Sequence, residues 1–223
     1  MVYAIIKVEL FLDRRGGGTM NATAYFANPL FWFGLVSIGL VSISDVSYIR
    51  DIYRREAQPH RMTWFIFVMT SAVAFATQLS IGASTSLFVF GWFVLVNTTI
   101  FVLTLTPGRG LGGSEPWEWL ALVLAIGSLG IWVKLNAPLW ALVCVLVADS
   151  IGIGMTAKKT WVQPFSEPRL MWGLGSISGI FSILAVGSGQ EGSLYLAPIH
   201  FFLCDVLIYT IIVSRRRTIS PPD

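Results

Sequence analysis

The stretch LFVFGWFVLVNTTIFVLTLT, residues 87–106, contains twenty residues and no ionisable side chain. A helix of about 20 apolar residues is long enough to cross the hydrocarbon core of a bilayer. The amide of Asn97 falls near the middle of this stretch, at the depth where a membrane is driest. The segment therefore predicts a membrane-spanning helix with one strongly polar side chain close to its midplane.

The composition of the whole chain agrees with this prediction. Hydrophobic residues make up 55% of the 223 residues, charged residues make up 12%, and the mean hydropathy is +0.72. A soluble domain carries about 25% charged residues, so a disordered chain is excluded and a water-soluble domain is disfavoured. Cys144 and Cys204 both lie in apolar runs, which indicates no disulfide framework. The small, scattered net charge of +3 does not suggest nucleic-acid binding.

Six further stretches are similarly apolar, and turn-forming residues separate them. The seven predicted spans are residues 30–49, 62–81, 87–106, 117–133, 139–156, 170–186 and 194–213. The predicted fold class is therefore an all-α polytopic membrane protein with seven transmembrane helices.

The basic residues of the loops predict the orientation, because cytoplasmic loops carry an excess of Lys and Arg. With seven spans, one side of the membrane holds eleven of these residues and the other side holds four. The eleven are Arg50, Arg54, Arg55, Arg61, Arg109, Lys158, Lys159, Arg169, Arg215, Arg216 and Arg217, and the four are Lys7, Arg14, Arg15 and Lys134. We therefore expect the N-terminus outside and the C-terminus inside.

The beginning of the chain departs from this pattern. Residues 1–12 form a short apolar run that Lys7 and Glu9 interrupt, and Arg14 and Arg15 follow it. A signal peptide has its positive charges before the apolar run. We expect residues 1–27 to be an N-terminal tail. Within it, we expect residues 1–19 to be an artefact of an upstream start site, with translation starting at Met20, or a loose part of the tail. A signal-like segment, a small strand and an interfacial helix are the alternatives.

Two sets of three residues follow the same order along the chain. The sets are Asp45, Trp64 and Asn97, in spans 1 to 3, and Asp149, Trp172 and Asp205, in spans 5 to 7. In both sets the third residue follows the tryptophan by 33 positions. The pattern predicts that spans 1–3 and 5–7 are repeats and that span 4 connects them. Chance matches in an apolar sequence are the alternative.

The connecting span has a consequence for symmetry. Three spans are an odd number, so a second repeat that followed directly would be inverted in the membrane. One additional crossing gives both repeats the same orientation, related by an axis along the membrane normal. The predicted organisation is a tail over residues 1–27, a first triple-helix repeat over 28–106, a loop and connector helix over 107–136, a second repeat over 137–214 and a cytoplasmic tail over 215–223.

This three-plus-one-plus-three arrangement resembles the SWEET sugar transporters and the wider PQ-loop family, including the PnuC-type vitamin permeases. The resemblance covers about residues 28–217 and concerns architecture, since the Pro-Gln pair of that family is absent from the first and fifth spans. In SWEET proteins, asparagines in the third and seventh helices line the sugar site. Asn97 matches this pattern and Asp205 departs from it. Residues 48–64 also resemble uncharacterised bacterial membrane proteins, and a bacterial inner membrane is the expected location.

Polar side chains inside the spans are the candidate binding residues. A central aspartate costs about 2.5–3.5 kcal/mol on insertion scales, so such groups tend to face an interior cavity. The predicted substrate-binding residues are Asn97, Asp205, His200, Gln78, Trp64 and Trp172. The alternative for the two tryptophans is interfacial anchoring. The alternative for Asn97 and Asp205 is a hydrogen bond that only holds helices together.

Asp45 and Asp149 lie close to the basic loops at the inner ends of their spans. We predict that they act in a gate or in proton coupling, and pairing with Arg50, Lys158 or Lys159 is the alternative. His200 titrates near physiological pH when it is exposed to water, so proton coupling through His200 and Asp205 is a further hypothesis.

These observations predict a facilitative or proton-coupled carrier for a small polar solute, such as a sugar, an amino acid or a vitamin-like compound. A non-transporting sensor or assembly protein that uses the basic loops is the alternative, and a channel would need a more continuous polar stripe. No nucleotide-binding loop, zinc motif or serine-hydrolase motif occurs, so we expect no enzyme, cofactor or metal site. The expected partners are the solute and the lipid bilayer, and a homo-oligomer is left open.

Overall fold

A computed structural model of the chain describes residues 27–80, 86–110, 116–135 and 137–219. These residues form seven α-helices: α1 Pro29–Tyr53, α2 Arg61–Ser80, α3 Ser86–Thr104, α4 Pro116–Leu135, α5 Pro138–Val162, α6 Arg169–Val186 and α7 Ser193–Arg215. The predicted all-helical class with seven helices is confirmed. The proposals for residues 1–19 and for a start at Met20 lie outside the described residues.

Four helices are long and apolar enough to cross a membrane within the part of the chain that is described. They are Pro29–Tyr53, Leu139–Val162, Arg169–Val186 and Ser193–Arg215. Arg61–Ala76 and Phe90–Thr104 are shorter apolar helices. Large apolar side chains on the outer surface, among them Ile43 and Leu203, are more than half exposed, as expected of a surface that faces lipid. An integral membrane protein is therefore supported, while the predicted orientation and bacterial location remain predictions.

Local sequence accounts for where the helices begin and end. Asn28 caps α1 by accepting a hydrogen bond from the backbone N–H of Leu30 at 3.0 Å, and Pro29 occupies the first turn. Pro138 likewise occupies the first turn of α5, where Ala137 provides no side-chain cap. Gly187 ends α6 with a φ of 82°, a conformation that favours glycine. α1 and α5 continue past the predicted ends at residues 49 and 156, because their charged last turns can lie outside the hydrocarbon.

Six of the helices pack as a closed ring. The order of the principal contacts is α1, α6, α7, α5, α2, α3 and back to α1, and α4 lies outside the ring against α2 and α5. Exchanging α1 with α5, α2 with α6 and α3 with α7 leaves this order unchanged. The order is the one that two triple-helix repeats about a two-fold axis would have, and the repeat itself remains a prediction.

Two hydrophobic clusters fill the two ends of the ring. The first is at the end near the basic loops, which we call the basic end, and it includes Ile52, Ile100 and Ile212. The second is at the opposite end, which we call the far end, and it is built around Phe90 and Leu142. Polar residues occupy the level between the clusters, and this arrangement positions the candidate site.

Candidate functional site

An internal cavity of about 90 Å³ lies at the centre of the ring, between the two hydrophobic clusters. All six helices of the ring contribute to its wall, and no described residue of α4 does. Its polar lining consists of Ser44, Asp45, Thr70, Ser71, Asn97, Asp149, Cys204 and Asp205, and its aromatic lining of Trp64, Phe67, Phe93, Trp172 and Phe201. A buried water needs about 10–15 Å³, so the cavity has room for several waters or a very small solute.

The cavity brings together both sets of residues that the sequence pattern relates. Asp45, Trp64 and Asn97 of the first set and Asp149, Trp172 and Asp205 of the second all line it. Of the remaining candidates, His200 reaches the site through Asp149. The side chain of Gln78 lies outside those that the structure describes.

Asp45 and Asp149 each contact a ring nitrogen from another helix. The indole N–H of Trp92 on α3 donates to Asp45 Oδ2 at 2.7 Å. On the other side of the ring, His200 Nε2 on α7 lies 3.0 Å from Asp149 Oδ2. Trp92 and His200 are 108 positions apart, as are Asn97 and Asp205. The two contacts therefore have the spacing that the predicted repeat would give them.

In the structure, Asp45 and Asp149 contact ring nitrogens rather than the basic residues near the loops. Arg50 forms its ion pair with Asp51, at 3.1 Å, and the side chain of Lys158 is exposed. Lys159 pairs with Glu167 of the following loop. Arg50 and Lys159 therefore have other partners, and the two carboxylates face the interior of the ring.

Asn97 and Asp205 make different contacts although the predicted repeat makes them counterparts. Asn97 Nδ2 donates to the backbone oxygen of Phe67 at 3.2 Å. Asp205 lies against Gly175, where an added Cβ would be only 2.6 Å from Asp205 Oδ2. Among the described residues, no group hydrogen-bonds to the Asp205 carboxylate. Its oxygens therefore remain available to a solute in the cavity.

Trp64 and Trp172 close the cavity at the basic end. Only 5% of Trp64 and 4% of Trp172 is exposed, so neither indole lies on the outer surface as an interfacial anchor does. Trp64 stacks on Tyr48, with ring centroids 5.4 Å apart. The indole N–H of Trp172 donates to buried Glu167 at 3.2 Å, and Lys159 binds the other carboxylate oxygen of Glu167 at 2.5 Å.

The structure also brings together a set of metal-ligating atoms that the sequence analysis missed. Asp149, His200 and Cys204 each offer one ligand atom, and the three atoms lie within 4.8 Å of one another. Cys204 was counted as an apolar residue of its span. The available signal was its position four residues after His200, which places the two side chains on one face of α7. Trp92 was missed because it also counts as an ordinary residue of an apolar span. It precedes His200 by 108 positions in the sequence, the separation that also relates Asn97 to Asp205.

No family model, no curated protein and no solved structure matches this chain. The comparisons therefore do not bear on the resemblance to the SWEET and PQ-loop transporters. The candidate function rests on the geometry of the cavity and on the residues that line it.

Proposed function

We propose that the protein is a membrane carrier for a small polar solute, working by alternating access between a bundle of α1–α3 and a bundle of α5–α7. The observation that carries the proposal is the convergence of Asp45, Asn97, Asp149 and Asp205 on one cavity at the centre of the ring. A carrier needs a site of this kind between its two halves, near the middle of the membrane. Buried carboxylates and amides at this depth are costly, so their convergence on one cavity favours a functional role.

Aromatic side chains narrow the cavity at both ends. Trp64 and Trp172 close the basic end. At the far end, Phe90, Phe93 and Phe201 pack on one another with ring centroids 5.4–6.3 Å apart. In the proposed carrier this arrangement is a partly occluded state. Opening would separate the aromatic residues at one end at a time and enlarge the site beyond its present volume.

The basic tail offers less support for the alternative of a sensor or assembly protein. Arg215 donates to the backbone oxygen of Trp161 at 3.0 Å and lies over its indole ring. Arg216 donates to the backbone oxygens of Pro164 and Glu167. These arginines are occupied in holding the loop between α5 and α6 against α7, so they are less available to bind another protein.

A thermal-stability screen of the purified protein against sugars, amino acids and vitamins tests the proposal. A ligand at about 100 times its dissociation constant should raise the free energy of unfolding by about 2.7 kcal/mol. We expect Asp205→Asn and Asn97→Ala to abolish this effect without unfolding the protein, because both side chains line the cavity. Wild-type ligand binding in both variants would contradict the proposed site.

Ser150→Ala is a suitable control variant. Ser150 is an exposed residue of α5, and its hydroxyl bonds only within its own helix, to the backbone oxygen of Leu146 at 2.8 Å. It lies next to Asp149 in the sequence but does not line the cavity. We expect its ligand-induced stabilisation to equal that of the wild type.

A further inference from the structure

Asp149, His200 and Cys204 combine three kinds of ligand atom at one wall of the cavity. Cys204 Sγ lies 3.5 Å from His200 Nε2, which in turn lies 3.0 Å from Asp149 Oδ2. Asp149 and Cys204 are buried and His200 is half-buried. The donors come from two helices, α5 and α7, whose contact fixes their separation. A local motif search along the sequence cannot detect such a set.

Two of the three donor–donor separations suit a tetrahedral ion, and the third pair, Cys204 Sγ and Asp149 Oδ2, lies within 4.8 Å. Metal–ligand bonds of about 2.0–2.3 Å at tetrahedral angles put neighbouring nitrogen, oxygen and sulfur donors about 3.3–3.6 Å apart. The observed distances of 3.5 Å and 3.0 Å differ from that range by at most a few tenths of an ångström. Side-chain rotation that brings Cys204 Sγ and Asp149 Oδ2 to a similar separation would complete the geometry for an ion.

The surroundings of the three donors also suit a divalent cation. Cysteine binds a metal as the thiolate, its proton leaving to water, so one carboxylate and one thiolate balance the two positive charges of the ion. No lysine or arginine is among the residues that line the cavity. Thr70 Oγ1 donates to Asp149 Oδ1 at 3.2 Å, which leaves Oδ2 directed at His200. Outer hydrogen bonds of this kind orient the ligands of metal sites.

We propose that Asp149, His200 and Cys204 bind a divalent transition-metal ion of the Zn²⁺ class. Nitrogen and sulfur donors select such ions, whereas Mg²⁺ and Ca²⁺ take oxygen ligands. Three protein ligands leave a fourth position for water or for Asp205, which lines the same cavity. The proposal concerns binding alone and does not depend on the carrier function.

Titration of the purified full-length protein with Co²⁺ tests the site, because sulfur-to-cobalt charge transfer appears only when a thiolate binds the ion. We expect a saturable absorption band at one equivalent, which Zn²⁺ abolishes and Mg²⁺ does not. Cys204→Ser should lose the band. Changes to groups that only hydrogen-bond to a ligand weaken metal binding by about 10–100-fold. We therefore expect Asp149→Asn, which removes a ligand, to weaken Co²⁺ binding by more than about 100-fold. Thr70→Val, which removes a hydrogen bond to that ligand, should weaken it by about 10-fold.

Two matched controls separate ligation from general effects. Cys144→Ser removes the other cysteine, which is half-buried on α5 and is not among the cavity residues. Asp45→Asn makes the same charge change in the same cavity as Asp149→Asn. Both controls should keep the band, Cys144→Ser with the affinity of the wild type for Co²⁺ and Asp45→Asn with a much smaller loss of affinity than Asp149→Asn.

Three results would overturn the proposal: no saturable band in the wild type, a band that persists in Cys204→Ser, or equal losses in Asp45→Asn and Asp149→Asn. The outcome is independent of the solute screen. A cobalt band without any solute hit would support the metal site and count against the carrier. A solute hit without a cobalt band would support the carrier and overturn the metal site.

Discussion

Asp45 depends on one indole for its hydrogen bonding. The carboxylate is 5% exposed, and Trp92 supplies the one side-chain hydrogen bond to it among the described residues. We expect Trp92→Phe to lower the free energy of unfolding by about 1–3 kcal/mol, because it leaves a buried acceptor without a partner. Thermal unfolding in detergent measures the effect. Trp140→Phe is the control, since Trp140 is 66% exposed, and an equally large loss there would contradict the argument.

Gly175 gives the Asp205 carboxylate its space. A Cβ at this position would lie 2.6 Å from Asp205 Oδ2, so Gly175→Ala must displace the carboxylate. We expect weaker solute binding together with an overpacking loss of about 1–3 kcal/mol in stability. Gly154→Ala on α5 is the matched control, because its Cβ would meet no atom within 4 Å. Undiminished ligand-induced stabilisation in Gly175→Ala would contradict this role.

At the scale of single residues, the sequence was informative where a polar side chain interrupts an apolar span. Asn97, Asp149 and Asp205 stand out in this way, and the structure brings all three to one cavity. Trp92 and Cys204 could not be recognised, because hydropathy counts both as ordinary span residues. Their contacts depend on which helix faces which, and that is decided by packing between distant parts of the chain.

At the scale of elements, the loop between α5 and α6 ties the basic-end closure to the rest of the protein. Glu167 in that loop binds Lys159 of α5 and Trp172 of α6. A hydrogen bond to a charged group contributes about 1.5–3 kcal/mol, which corresponds to a factor of about ten or more in an opening equilibrium. The loop residues thus hold Trp172 over the cavity.

We expect Glu167→Gln to loosen this closure, and Cys204 provides a native reporter because it lines the cavity. In a Cys144→Ser background, modification of Cys204 by a small thiol reagent should become about tenfold faster, which mass spectrometry can measure. Glu56→Gln is the control, since Glu56 is an exposed acidic residue of the loop between α1 and α2. Equal rates in the two variants would show that Glu167 does not hold the closure.

The helix boundaries show why elements were easier to predict than their packing. Each described helix covers most of a predicted span, because apolar runs and proline or glycine punctuation are local signals. The ring order of the helices has no such local signal. It depends on side chains such as Ser37 and Ser178, which hydrogen-bond across α1 and α6 at 3.0 Å although they are 141 residues apart.

At the scale of the whole molecule, the two ends of the bundle differ in charge. The helix ends and loops at the basic end hold eleven of the twelve arginines and lysines among the described residues, and Lys134 at the far end is the twelfth. Positive charge is retained on the cytoplasmic side during insertion. The basic end, with its tryptophan closure, is therefore expected to face the cytoplasm.

Cysteine labelling in intact cells tests this orientation. In a background with Cys144→Ser and Cys204→Ser, we expect Lys134→Cys to react with a membrane-impermeant thiol reagent added outside, and Lys158→Cys to react only after the membrane is opened. Both side chains are exposed in the structure, so a difference in reactivity reports the side of the membrane and not burial within the protein. The reverse pattern would invert the topology, and the tryptophan closure would then control access from outside. Reaction at both positions in intact cells would contradict a bundle that spans the bilayer between these two ends.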